Sequence, residues 1–190
     1  MRKERIGFAM CGSFCTHKAV LDALRELTER YETVVPIVSE TVSFTDTRFG
    51  SAEELMETLY RMTGKEPLCD IPSVEPIGPK GLLDVLVIAP ATGNTLAKLA
   101  AGITDTAITM AAKAHLRNGR PVVVALASND GLSGGAKNIG ELLVRRNYYF
   151  VPFGQDDPYG KPCSLIADFT KIPETVEAAI HKEQVQPLLL

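Results

Sequence analysis

No stretch of this 190-residue chain approaches the ~20 continuous apolar residues that a membrane-crossing helix needs, so no such helix is expected. The basic start Met1-Arg2-Lys3-Glu4-Arg5 leads into an apolar run broken by Gly7, Gly12, His17 and Lys18. That makes a poor secretory core, and no signal peptide is expected. There is neither a G-x-G-x-x-G fingerprint nor a Walker lysine pattern, which removes support for a standard NAD-binding fold and for a P-loop NTPase. The four cysteines, Cys11, Cys15, Cys69 and Cys163, show no C-x-x-C or zinc spacing, so reduced thiols, a cytoplasmic location and no metal site are expected. Charge of one sign is also scarce: a formal net charge of -3 argues against a broad nucleic-acid footprint.

What is present is ordinary for a globular protein: 45% hydrophobic and 23% charged residues. The length suits one sizeable core, and the expected organisation is a single domain over residues 1–183 with a tail or oligomer contact at 184–190. Ile6–Cys11 reads as a buried strand running through Gly12-Ser13 into a helix whose face carries Val20, Ala23, Leu24 and Leu27. Thr33–Val38 is a second strand, demoted to an edge or a bulge by Pro36. A helix follows over 53–62, then a proline-rich stretch from Pro67 to Gly81 that reads as an irregular, functional loop.

Leu83–Ala89 is nearly all aliphatic, as in a strand buried on both faces of a parallel sheet, and Pro90 is expected to end it. Helices over 95–100 and 105–115 follow, then a strand at 121–126, a helix at 136–146, a short strand at 148–152 and a closing helix at 173–182. This alternation predicts an α/β fold with a doubly wound, mostly parallel Rossmann-like (flavodoxin-like) sheet and helices on both faces.

Ligands of such sheets bind beyond the carboxyl ends of the strands, and those exits are small and polar here. Gly12-Ser13-Phe14-Cys15-Thr16 offers close backbone approach and hydroxyls at a helix start, where a phosphate is favoured; Ser13 or Thr16 could equally be an N-cap. The third exit, Ala89-Pro90-Ala91-Thr92-Gly93-Asn94-Thr95, continues through Lys98 to Gly102-Ile103. Taken alone it reads as a strand-to-helix turn capped by Asn94 or Thr95.

That segment resembles the Pro-Ala-Ser-Ala-Asn-Thr motif, and its Ala-Lys-x-Ala-x-Gly-Ile extension, of the homo-oligomeric flavin-containing cysteine decarboxylases and the wider FMN-binding flavoprotein superfamily. Gly12-Ser13 and Lys137-Asn138-Ile139 follow in matching order, so the likeness runs over residues 5–155. The resemblance implies that Thr92, Gly93, Asn94 and Thr95 face FMN, that Gly12 and Ser13 bind its phosphate, that Ser39 lies near the ribityl chain or ring, and that Ala127 backs the flavin. It also implies a homo-oligomer, a trimer or a multiple of one.

The decarboxylases carry a histidine beyond the second strand and a Pro-x-Met-Asn-x-x-Met-Trp segment after the fourth. Here tryptophan is absent, the histidines are His17, His115 and His181, each in an expected helix, and the later segment is Ala127-Ser128-Asn129-Asp130-Gly131-Leu132-Ser133-Gly134-Gly135. With Met10–Thr16 and Asp156-Asp157-Pro158-Tyr159, this departure resembles the B-subunit family of dipicolinate synthases. That resemblance implies oxidation of a dihydrodipicolinate-type heterocycle to pyridine-2,6-dicarboxylate in the mother cell of a sporulating bacterium, with the synthase's A-subunit as a partner carrying an NAD(P)-type fold. The alternatives are a flavin-dependent decarboxylase of another substrate and a non-catalytic accessory chain that binds FMN. The dicarboxylate would call for charge-assisted donors, with Lys137, Lys161 and Arg48 as cations and Asn129 and Asn138 as amides. No catalytic residue or general base is assigned. Cys11 and Cys15 read as packing residues, and His17 as partly exposed.

Overall fold

The computed structural model describes residues 1–190. Five strands, β1 (Arg2–Met10), β2 (Tyr31–Val38), β3 (Val85–Ala91), β4 (Val122–Ser128) and β5 (Tyr148–Phe150), run parallel in the spatial order 2-1-3-4-5. That is the flavodoxin-like order of a doubly wound sheet. Between them and after them lie the helices α1 (His17–Arg30), α2 (Glu40–Phe44), α3 (Ala52–Thr63), α4 (Ile71–Val74), α5 (Gly93–Ala101), α6 (Ala107–Leu116), α7 (Ala136–Leu143) and α8 (Ile172–Ile180). α1, α3 and α8 cover one face of the sheet, and α5 and α6, flanked by α4 and α7, cover the other. No helix is long and apolar enough to cross a membrane.

The aliphatic runs explain the layering. Every residue of β3 is buried, as is most of β4, because helices lie on both sides of them. Val20, Ala23, Leu24 and Leu27 of α1 are all buried, so the apolar stripe read from the sequence is the face applied to the sheet. β2 is an edge strand, and its free side is met by a short bridge in which Leu68 N donates to Pro36 O (3.0 Å) and Val38 N to Leu68 O (2.9 Å). Pro36, which has no N–H to give, is tolerated at that edge.

Several expectations are corrected. Pro90 does not end β3: the strand continues to Ala91 through a cis Ala89–Pro90 peptide, and Pro90 O accepts from Cys11 N (3.3 Å). Residues 67–81 are not an irregular loop. They form α4 and a 3₁₀ turn at Glu75–Ile77 that pack on α6, and Asn118 Nδ2 donates to Gly78 O (2.7 Å). α7 stops at Leu143, short of Arg146.

Beyond β5 the chain forms an antiparallel hairpin, β6 (Phe153–Asp157) and β7 (Lys161–Ala167), that the periodicity did not suggest. β7 pairs with the end of β4, Ala127 opposite Ile166 and Ser128 opposite Leu165, so the outer edge of β4 is shared between β5 and β7. The last residues lie along the same region: the Gln184 side chain bonds both the N–H and the C=O of Phe150, Phe153 N donates to Leu188 O, and Leu190 N donates to Phe153 O.

Candidate functional site

In a sheet of order 2-1-3-4-5 the winding reverses direction between β1 and β3, and the crevice opens at the carboxyl ends of those two strands. Here the exits are tied together. Cys11 N reaches Pro90 O, and Ser39 N donates to Met10 O (3.1 Å), so the chain leaves β1, β2 and β3 side by side. Two clefts open over this point. The larger, of about 850 Å³, is lined by Gly12, Ser13, Thr92, Gly93, Asn94, Ala127 and Asn129, by Phe14 and Phe49, and on its far wall by the β6–β7 hairpin. The smaller, of about 360 Å³, is lined by Gly12, Ser39, Glu40, Thr41, Thr92, Asn94, Thr95 and Thr106 among others. Gly12, Thr92 and Asn94 belong to both, forming the sill between them.

The structure therefore brings Gly12, Ser13, Ser39, Thr92, Gly93, Asn94, Thr95, Ala127 and Asn129 to one crevice. Lys137 and Asn138 lie on α7 and line neither cleft. Arg48 and Lys161 do line the larger one. A further groove of about 460 Å³ between α1 and α3 shares Phe14, Cys15 and Phe49 with it and holds none of the residues expected to bind a cofactor.

The turn into α5 is shaped by three interactions. Thr92, not Asn94 or Thr95, is its N-cap, with Thr95 N donating to Thr92 Oγ1 (3.4 Å). Thr95 turns inward: its hydroxyl lies 3.1 Å from Thr92 Oγ1 and 3.2 Å from the buried Cys11 Sγ. Gly93 packs against a short hydrogen bond from Ser128 Oγ to Asp130 Oδ1 (2.5 Å), and a Cβ at Gly93 would stand 2.7 Å and 2.8 Å from those two oxygens. Only a residue without a side chain lets the β3 and β4 exits approach this closely.

Other polar groups are set by their neighbours. Neither Ser13 nor Thr16 caps a helix with its side chain; Thr16 Oγ1 donates to Ser13 O (2.8 Å). Ser39 caps α2, its Oγ accepting from Val42 N (3.3 Å), which leaves its own proton to give. Glu40 Oε1 accepts from Ala107 N (3.0 Å) at the start of α6, where the helix favours an anion.

Burial pushes the Cys11 thiol up to about 11, against the opposing effect of its hydrogen bond with Thr95, so it stays protonated and unreactive. Cys15, by contrast, is exposed at the mouth of the larger cleft and is no packing residue. His17 is buried, not partly exposed; its Nε2–H donates to Cys11 O (2.8 Å), and burial lowers its pKa. It pins the start of α1 to the end of β1.

Apart from Lys161, sequence reasoning missed the far wall of the cleft. Ser164, Leu165 and Ile166 lie on β7, and their signal was Asp157-Pro158-Tyr159-Gly160, a turn sequence between two short β-prone runs. Ser128 and Asp130 stood out only as part of the departure from the decarboxylase motif, and Phe49 and Thr41 carried no signal of their own.

The flavoprotein family model matches residues 1–143. The dipicolinate synthase B-subunit of Bacillus subtilis (strain 168) is 43% identical over 190 residues, covering 100% of this chain and 95% of that protein. The crystal structure of the dipicolinate synthase B-subunit from Bacillus halodurans superposes with a TM-score of 0.90 at 44% identity, over 98% of this chain and 96% of the other. The FMN-dependent cysteine decarboxylase SpaF shares the fold, with a TM-score of 0.66 at 24% identity over 93% and 97% of the two chains.

Proposed function

The chain belongs to the flavoprotein family, and from that membership and the site geometry we propose that it is the FMN-binding subunit of a dipicolinate synthase. In this reading it acts in the cytoplasm of a sporulating cell, beside the synthase's A-subunit with its NAD(P)-type fold. Together they oxidise a dihydrodipicolinate-type precursor to pyridine-2,6-dicarboxylate. The observation that carries the cofactor part is the pair of clefts joined across Gly12, Thr92 and Asn94 at the β1/β3 reversal, the place where a sheet of this order binds a mononucleotide.

The residues present fit such a group. The two clefts have sizes typical of small-molecule sites, and they adjoin across Gly12, Thr92 and Asn94, so an elongated ligand lying over that sill would reach both. Ser13 keeps its hydroxyl uncommitted to any cap, and Ser39 keeps its proton for an outside acceptor. Gly12, Ser13 and Ser39 would hold the polar end, and Thr92, Gly93, Asn94 and Ala127 would hold the ring. When bound, a flavin supplies a hydride acceptor for substrate oxidation.

The chain's own part is to bind, orient and exclude water. The Thr92 cap and the Ser128–Asp130 bond fix the floor of the cleft, and the hairpin closes its far side. The segment from Ala127 to Gly135, which lacks the Met and Trp of the decarboxylases, favours this reading over decarboxylation.

The experiment is to express the chain with and without its partner chain, record flavin absorbance, and assay dipicolinate formation from the dihydrodipicolinate precursor. FMN-dependent product formation that needs both chains supports the reading. Full activity of the partner alone leaves this chain an accessory flavin carrier, and a colourless protein after reconstitution with FMN overturns the cofactor assignment.

A further inference from the structure

Two cations line the larger cleft, Arg48 and Lys161, and they stand on different walls. Arg48 belongs to the connection between α2 and α3; Lys161 opens β7 on the hairpin. Arg48 makes no ion pair, and its guanidinium lies 4.8 Å from the centroid of the Phe49 ring. Stacking of that kind holds the guanidinium by its face and leaves the N–H edge free for a carboxylate. Lys161 is held by Asp156 (2.6 Å) in a solvent-exposed pair. Asp156 lines the cleft as well, but such pairs contribute little to stability, so a ligand carboxylate can take the ammonium by displacing the Asp156 side chain toward solvent. Phe14 and Phe49 line the same cleft and offer flat apolar surface to a ring.

We propose that Arg48 and Lys161 are the two groups that hold the carboxylates of a flat, dianionic heterocycle in this cleft, one from each wall. The proposal rests on the dipicolinate synthase reading and adds which residues select the substrate. Asp130 lies on the remaining side, tied to Ser128 beside Gly93. Its negative charge repels a carboxylate, so it directs the unsubstituted part of the ring toward the Thr92–Asn94 turn. Two separated cations match two carboxylates, and a ligand with one carboxylate forfeits one of the charge-assisted bonds.

The test is calorimetric titration of the FMN-loaded protein with pyridine-2,6-dicarboxylate and with pyridine-2-carboxylate, together with a separate FMN titration of each apo chain. The wild type should prefer the dicarboxylate by roughly tenfold or more, the size of one hydrogen bond to a charged group. Arg48→Ala and Lys161→Ala should each weaken dicarboxylate binding by about the same factor and erase the preference. Both variants should bind FMN as the wild type does. Lys65→Ala, an exposed change away from the clefts, should alter nothing.

Unchanged dicarboxylate affinity in both cleft variants overturns the inference while leaving the flavin reading intact. Loss of FMN affinity in Arg48→Ala also overturns it, because the guanidinium would then serve the cofactor phosphate. A wild type that binds no FMN fails earlier, at the proposed function itself.

Discussion

At the scale of single residues, Gly93 decides how closely the exits of β3 and β4 approach. An alanine there places Cβ inside contact distance of Ser128 Oγ and Asp130 Oδ1, so Gly93→Ala should destabilise the fold by about 1–3 kcal/mol and weaken FMN binding, as read by thermal unfolding and flavin titration. His115 has a different signature. It is buried on α6, its Nε2–H donates to Pro121 O (3.0 Å), and burial lowers its pKa from 6.5 to about 4. In the unfolded chain it takes up a proton near 6.5, so between there and pH 4 the unfolded state binds more protons and is favoured as pH falls. The stability tied to the neutral ring is present above pH 6.5 and lost toward pH 4. His115→Gln should flatten that limb of a stability profile from denaturant melts at stepped pH. Residue identities at the site were legible where close packing demands a residue type, as at Gly93. They were not legible where a role depends on a distant neighbour: Thr95 has the sequence position of a cap, but its hydroxyl is held by Cys11.

At the scale of elements, long aliphatic strands and the stripe of α1 could be read directly, because burial on both faces or on one leaves a periodic trace. The β6–β7 hairpin could not. β6 is short and exposes Gln155 and Asp156, β7 starts with two exposed residues, and what holds the hairpin is packing across the chain rather than its own pattern. Leu165 of β7 is central to that packing, since a Cβ at Gly131 would lie 2.9 Å from it and Leu132 N donates to the neighbouring Cys163 O (3.0 Å). Leu165→Ala should cost about 2–4 kcal/mol. It should also raise hydrogen exchange at Leu132 and Gly135 more than at the centre of β3. Equal exchange at all three would show that the hairpin does not brace the segment after β4. Pro90 and the proline-rich 67–81 stretch misled for a common reason. Proline forbids a hydrogen-bond donor, not an extended or 3₁₀ backbone, and both segments use conformations that need no donor at those positions.

At the scale of the whole molecule, the strand order 2-1-3-4-5 puts three exits together at one end of the sheet and so gathers scattered small residues around two adjoining clefts. The alternation of elements made a doubly wound, mostly parallel sheet the expectation; the order itself comes from the pairing of β1 with β2 and β3 and of β4 with β3 and β5. The proposed partner chain and reaction are external to the fold, and no periodicity in this sequence encodes them. The cofactor claim is open to one direct measurement, titration of the apo protein with FMN followed by flavin fluorescence and absorbance, for the wild type and for Ser13→Ala and Asn94→Ala. The account predicts one FMN per chain, with affinity lowered in both variants while their melting temperatures stay near that of the wild type. No binding by the wild type, or binding that both variants leave untouched, would contradict it.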